Sequence, residues 1–284
     1  IKYWDDISPF IKFGCLKDEK FCDKMSDYIL FKNIDHDYLT LKECIEKNSP
    51  AKEVTEETTS TETAEENTSD HSDNDADAKE PEKVTIYYVT DEQQQSQYIN
   101  MFKEEGLDAV LLTHNIDSPF ITQLEQRNEN VQFQRIDADL TDHFKEEVAK
   151  EEEETFKSNT ETLTDIFRKA LNNEKLEVKV EKLKNENVAS MVTLSEQSRR
   201  MQEMMKMYNM YGMDAGMFGT DVTLVLNANH PLVQYVLNNK DGEHVNLFCQ
   251  QLFDLAMLSN KPLNPEEMTA FINRSNEIMM LLTK

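Results

Sequence analysis

The side chains most able to do chemistry are six histidines and four cysteines, and their spacing decides what they could do. The histidines stand singly, and no HExxH pair brings two imidazoles together as a zinc site requires. Cys15, Cys22, Cys44 and Cys249 contain no CxxC pair, so we expect reduced thiols. No Gly-x-Ser-x-Gly motif prepares a serine for attack. We therefore expect no catalytic residue and no metal ligand here.

Residues 84–136 alternate between apolar runs typical of strands and amphipathic runs typical of helices, which predicts a βαβαβ unit with a parallel sheet. The predicted strands are 84–89, 109–112 and 131–136, and the predicted helices are 93–105, ending at Gly106, and 118–126. Such a unit commonly binds a nucleotide at the loop after its first strand. Here that loop reads Thr90-Asp91-Glu92, without a glycine and with two carboxylates that would repel phosphate. We predict no nucleotide site.

The last part of the chain predicts a second, α+β unit. A charged helical stretch that includes residues 151–154 leads into an alternating run in which Leu176, Val178 and Val180 would face a core. Residues 188–194 are expected to form the neighbouring strand, and residues 222–226 a third. This unit is therefore predicted to contain a three-stranded sheet.

A run of methionines is the densest pattern, since eight of the 14 fall between Met191 and Met217. Five side chains would share one face of a helix there: Met201, Met204, Met205, Tyr208 and Tyr211. One interpretation is a core helix whose thioethers fill irregular gaps. The other is an exposed apolar surface, because flexible methionine side chains adapt to partners of different shape.

The two terminal helices carry apolar residues on more than one face. One stripe contains Val245, Phe248, Cys249, Leu252, Phe253 and Ala256, and the other contains Met268, Phe271, Ile272, Met279 and Leu282. Leu255 and Ile278 lie off these stripes. Such helices need a second surface to cover them, either the strands of the same chain or a twofold helix bundle between subunits. The pattern leaves both possibilities open.

Capping residues mark where two helices begin. Thr40 with Glu43 forms a capping-box pattern, and Asn264 precedes Pro265 at a favourable first-turn position. The segment that contains the first of these, residues 1–48, is predicted to be helical, then briefly extended, then helical again. It is expected to be ordered but to have little core.

Composition excludes several classes of partner. Residues 51–83 hold twelve acids, three lysines and no aromatic residue, too little apolar surface to offset the entropy lost on ordering, so we predict a disordered acidic insert. The formal charge of −25 repels nucleic-acid phosphates and anionic lipid, and neither is an expected partner. No apolar run approaches the roughly 20 residues that span a bilayer, and Ile1 does not begin a signal peptide. We expect a cytoplasmic segment of a longer chain.

The run VTLVLNANHPLV at residues 222–233 resembles a strand, turn and helix start in the C-terminal domain of the heat-shock protein 90 family. Other segments resemble that family's middle and C-terminal domains in the same order: Trp4 with FIKFG at 10–14, IYYVT at 86–90, GLDAVLL at 106–112, LFDLAML at 252–258 and FINR at 271–274. The resemblance covers nearly the whole chain except residues 51–83. Residues 281–284 lack the acidic tail motif of eukaryotic members, so the bacterial form is expected.

The resemblance implies a mixed α+β fold in four parts. Residues 1–48 would be the helical part of the latter middle domain and 49–83 the acidic insert, which is longer than the connection expected there. Residues 84–150 would be the small α/β part of the middle domain. Residues 151–284 would be the C-terminal dimerisation domain, with a three-stranded sheet and a helical dimer bundle.

The resemblance also implies a molecular chaperone, a homodimer that binds unfolded or partly folded client proteins. By position, the client-contacting helix falls on 195–211, which implies client contacts by Met201, Met204, Met205, Tyr208 and Tyr211, together with Trp4. The dimer helices fall on 244–259 and 265–282, with these interface residues: Phe248, Leu252, Phe253, Leu255, Phe271, Ile278, Met279 and Leu282.

In the family ATP binds an N-terminal domain, so ATP and Mg²⁺ are expected there and no cofactor is expected in this segment. Two alternatives remain. One is a non-enzymatic adaptor that docks one specific protein partner. The other is a small α/β enzyme that uses His114 and Asp117 near a strand end.

Overall fold

The computed structural model describes residues 2–49, 83–138, 142–150, 152–196, 200, 222–281 and 283. Within these ranges the fold is mixed α+β, as predicted, and it contains three small sheets. The predicted acidic insert lies outside the described residues except for its two ends, Ser49 and Lys83. The boundaries of the four predicted domains stay predictions.

The first segment is helical, then extended, then helical, as predicted. Its elements are α1 (Trp4–Lys17), α2 (Glu19–Met25), the hairpin strands β1 (Leu30–Lys32) and β2 (Tyr38–Thr40), and α3 (Leu41–Asn48). The capping box is confirmed, since the Glu43 amide donates to Thr40 Oγ1 and the Thr40 amide donates to Glu43 Oε2 at 2.7 Å. These two bonds satisfy amides that the helix itself cannot.

The small α/β unit has the predicted parallel sheet. Its strands are β3 (Val84–Val89), β4 (Ala109–Leu111) and β5 (Val131–Arg135), and its helices are α4 (Ser96–Glu104) and α5 (Asp117–Arg127). The strand order is β4-β3-β5, with both pairings parallel. Helix α4 begins three residues later than predicted, because the Asp91 carboxylate accepts from the amides of Gln93 and Gln94 and holds a turn there. It ends before Gly106, whose φ of 68° suits glycine.

The expectation that the first segment has little core is wrong. Cys15, Cys44 and Phe31 are buried in one cluster with side chains of the small α/β unit such as Ile86 and Phe133. The cluster forms because α3 and the hairpin pack on the sheet, which gives them a shared interior. The two stretches therefore form one unit, which we call the first unit.

The remainder, which we call the C-terminal unit, packs helices on a mixed sheet. Its elements are α6 (Glu153–Ala170), β6 (Glu177–Glu181), β7 (Ser190–Leu194), β8 (Val222–Asn227), α7 (Pro231–Asn238), α8 (Val245–Leu258) and α9 (Pro265–Leu281). The strand order is β6-β8-β7, so the prediction that residues 188–194 pair with the strand near residue 178 is wrong. Leu224, Val225 and Leu226 are all buried, as a central strand covered on both faces requires.

A buried ion pair joins α1 to the start of α5. The Lys12 ammonium donates to Asp117 Oδ1, and both side chains are more than nine-tenths buried. Asp117 Oδ2 accepts from the His114 amide at 2.9 Å. Because the carboxylate is satisfied from two directions, the pair fixes how α1 sits on the α/β unit.

Replacing Asp117 with alanine would leave the Lys12 charge buried without a counterion. We expect the free energy of unfolding to fall by about 3–5 kcal/mol, since removing one partner exposes the desolvation penalty of the other. Asp27→Ala is the matched control, because Asp27 pairs with Lys42 at the exposed surface and its loss should cost under about 1 kcal/mol. Urea unfolding followed by circular dichroism measures both. Equal losses in the two variants would contradict the assignment.

Candidate dimer and client surfaces

Helix α9 is 17 residues long, and none of its described residues is buried. Asn264 caps it, with Asn264 Oδ1 accepting from the Glu267 amide at 2.8 Å. Ile272, Met279 and Met280 are 51, 56 and 61 % exposed. Met268 and Phe271 pack partly against the core of the C-terminal unit. The helix thus touches its own chain along one side and presents apolar side chains on another.

Polar contacts hold α9 against α8. The Arg274 guanidinium forms an ion pair with Asp254 and donates to the amide oxygens of Gln250 and Gln251, both at 3.2 Å. Gln251 in turn donates to Ser275 Oγ at 3.0 Å. Burial raises the pKa of Asp254, and the neighbouring Arg274 opposes that rise. Three of these four polar contacts between α8 and α9 therefore come from one arginine.

The predicted interface residues on α8 do not share one surface. Leu252 is 2 % exposed and lies in the core of the C-terminal unit, so it has no surface to offer a second subunit. Phe248 is half-buried, with its ring centroid 5.1 Å from that of Tyr235. Phe253 is also partly buried against this core. Leu255 is exposed and lines a cleft of about 520 Å³ with Leu258 and Gln97.

On α9 the predicted interface residues divide in the same way. Phe271 packs partly on the core, Ile278 is half-buried and Met279 is exposed. Leu282 lies outside the described residues. Ile272 and Met280, which were not among the predicted interface residues, extend the exposed apolar surface of α9. We call Ile272, Met279 and Met280 the α9 face.

Most of the predicted client-binding residues, namely Met201, Met204, Met205, Tyr208 and Tyr211, lie outside the described residues. Trp4 is described, and it is buried in the core cluster of the first unit. Its indole N–H donates to the Leu30 carbonyl at 2.9 Å. Little of its ring is left for a client to contact.

An exposed apolar face on α1 was missed by the sequence reasoning. Tyr3, Ile7, Phe10 and Phe13 are all exposed, Phe10 by 77 %. Their spacing of three or four residues places them on one side of a helix, and this periodicity could have identified them. Lysine ammonium groups lie over two of the rings, 5.3 Å from the centroid of Tyr3 and 5.6 Å from that of Phe13. We call these four residues the α1 face.

His114 and Asp117, the pair considered for an enzyme, do lie together beside a cavity of about 170 Å³. However, Asp117 accepts from Lys12 and from a backbone amide, so its oxygens are used in holding α1 and α5. The His114 Nδ1 is 3.8 Å from Asp117 Oδ2, beyond hydrogen-bond distance. The geometry favours a structural role for this pair.

The four cysteines are free thiols, all buried, and burial raises the pKa of both Cys44 and Cys249 to about 12. Among the described residues, no group of three or more His, Cys, Asp or Glu side chains is arranged to hold a metal ion. In the same part of the chain, no helix has the length and apolar character needed to cross a bilayer.

Comparison with known proteins identifies the family. The model of the Hsp90 protein family matches residues 57–284. The chaperone protein HtpG of Bacteroides fragilis strain YCH46 is 30 % identical over 250 residues, which is 84 % of this chain and 32 % of that relative. HtpG of Porphyromonas gingivalis strain ATCC 33277 is 28 % identical over 250 residues, covering 84 % of this chain and 31 % of the relative.

The chain spans about a third of the length of these relatives. The family match begins within the acidic insert and continues through the small α/β unit and every element after it, so it includes the α8–α9 pair. The resemblance read from the sequence is confirmed, and the chain belongs to the Hsp90 protein family.

Proposed function

We propose that this chain is the dimerising and client-holding part of a molecular chaperone that acts as a homodimer. The observation that carries the proposal is the α9 face, three large apolar side chains exposed on a helix without a buried residue. Family membership supports it, since the relatives are named chaperone proteins. A partner subunit would cover what the chain itself leaves uncovered.

Energetics favour a second copy as the cover for α9. Fully burying a large apolar side chain stabilises by roughly 1.5–3 kcal/mol, and a twofold interface uses each side chain twice. Leu255 on α8 could add to the interface at its edge, because it too is exposed. The two helices of the interface would be held in place by Phe248, Phe253 and Phe271, since these side chains pack on the core of the C-terminal unit.

Client binding would use apolar surfaces that tolerate many sequences. The methionine-rich segment suits this role because thioether side chains repack around different shapes at little cost. The α1 face offers a second apolar surface of the same kind. Partly folded proteins expose apolar side chains, so such surfaces would hold them without reading a particular sequence.

ATP and Mg²⁺ belong, in this proposal, to the part of the longer family members that this chain does not span. The loop after β3 supports that division, because Asp91 and Glu92 stand where a phosphate would lie. The segment would bind and hold polypeptides without hydrolysing nucleotide.

Replacing Met279 with aspartate should weaken the dimer, because a carboxylate would have to be desolvated in an apolar interface. We expect the dissociation constant to rise by about tenfold or more, equivalent to at least about 1.4 kcal/mol. Ala270→Asp is the matched control, since it adds the same charge at an exposed position on the side of α9 opposite Met279. Sedimentation equilibrium over a wide concentration range measures both.

One outcome would count against the dimer, and another against the α9 face as its interface. A wild-type chain that is monomeric at every concentration would favour the adaptor that docks one specific partner. Equal effects of Met279→Asp and Ala270→Asp would mean that added charge, and not loss of the apolar face, weakens association.

Serine at Met204 and Met205 should weaken client holding while the fold is retained. We expect the amount of chain needed to suppress aggregation of an unfolded model protein to rise by roughly threefold or more, because the apolar contact area falls. Light scattering measures holding, and circular dichroism checks the fold. Phe10→Ser with Phe13→Ser tests the α1 face in the same way, and Lys20→Ser is the exposed control.

Collapse of the fold in the methionine variant would restore the interpretation of a core helix. Unchanged holding in both the methionine and the phenylalanine variants would exclude these surfaces as client sites.

Replacing Arg274 with methionine removes the charge beside Asp254 and should raise the pKa of Asp254 further, since burial then acts with less opposition. With a raised pKa, the folded chain binds this proton more readily than the unfolded chain. The stability that the protonated Asp254 carboxyl contributes is present at low pH and is lost as the pH rises through the folded-state pKa of Asp254. Carboxyl ¹³C NMR titration measures the change, and a pKa that stays the same or falls would contradict the prediction.

A further inference from the structure

The first unit and the C-terminal unit meet along a seam that contains both apolar and polar contacts. Met101, Phe102 and Ile136 from one side are buried in a single cluster with Leu183 and Met191 from the other. Beside them the Tyr98 hydroxyl donates to the Val192 carbonyl at 2.8 Å, out of contact with water.

Asp137 is the fully buried acid of this seam. Its carboxylate accepts from Arg135 Nε at 2.6 Å and from Arg135 Nη2 at 2.5 Å. The same carboxylate also accepts from Asn260 Nδ2 at 3.0 Å. Hydrogen bonds to a charged acceptor in a buried site are stronger than bonds between neutral groups. The bond from Asn260 to Asp137 is therefore a strong link between the two units.

The neighbouring residue makes a second crossing. The Ser259 hydroxyl donates to Gln97 Oε1 on α4 at 2.6 Å. Ser259 and Asn260 directly follow the end of α8, and only residues 259–264 separate α8 from α9. The short connection between the two terminal helices is thus fastened to the first unit at its beginning.

We infer that Ser259 and Asn260 are positioning residues that clamp the α8–α9 connection to the first unit, through Gln97 and Asp137, and thereby fix the direction of α9. A displacement of the first unit is transmitted to α9 through this clamp, because only residues 261–264 separate the clamp from α9 and Arg274 holds α9 against α8. The consequence for dimerisation rests on the proposed function of α9, whereas the clamp itself is a property of one chain.

The test measures the distance between two spin labels, one on each side of the clamp. Glu129→Cys lies at an exposed turn of the first unit, and Glu277→Cys lies on the exposed side of α9 opposite Met279. The four native cysteines are fully buried, so the label reacts with the introduced pair. Labelled chain is diluted into excess unlabelled chain, so that the double electron–electron resonance signal reports distances within one chain whether or not it dimerises.

Ser259→Ala with Asn260→Ala should broaden the distance distribution by roughly twofold, since both crossings are lost. Gln97→Leu removes one acceptor from the opposite side and should broaden it by a smaller amount. Gln94→Ala is the matched control, because Gln94 lines the same cleft as Gln97 and Ser259. This variant should leave the distribution unchanged. A double variant with the wild-type distribution overturns the clamp. Loss of dimerisation with an unchanged distribution overturns it as well, and leaves the proposed dimer standing.

Discussion

The position of the two units relative to one another depends on the buried apolar cluster in the seam between them. Helix α4 contributes Tyr98, Met101 and Phe102 to this cluster. They pack there with Leu183, Met191 and Val225 of the C-terminal unit. Each large apolar side chain removed from water contributes roughly 1.5–3 kcal/mol, so half a dozen of them hold the units together against the entropy of separation. The hydrogen bonds across the seam form beside this contact and, in the inferred clamp, they fix the direction of α9.

Local patterns predicted most of the elements because their causes are local. The parallel strands of the first unit were readable as apolar runs, and Gly106, Thr40 and Asn264 marked helix ends by conformations or hydrogen bonds that span a few residues. The order of the C-terminal sheet was not readable in this way. β6 alternates as a half-buried strand does, but nothing in its sequence states that β8, more than 40 residues later, is its neighbour.

The candidate surfaces were predicted less well, for a related reason. An apolar stripe shows that a helix face is covered, but not whether its own chain or a second chain covers it. Leu252 and Trp4 were assigned to binding and lie in cores, whereas Ile272 and Phe10 were not assigned and are exposed. The distinction depends on which side of each helix meets the sheets, and that is decided by contacts distant in sequence.

The exposed α9 face is more informative because the chain is so acidic. With 55 acidic residues in 284, a solvated helix face would be expected to carry carboxylates. At 100° per residue, Glu266 and Glu277 fall on the side of α9 opposite Met279, and Ile272 falls on the same side as Met279. Two such chains repel one another at long range, but screening confines that repulsion to about 8 Å. In the proposed dimer, the side of α9 that carries Ile272 and Met279 is where two chains can approach most closely, because Glu266 and Glu277 lie away from it. Apolar burial there would oppose the repulsion that remains.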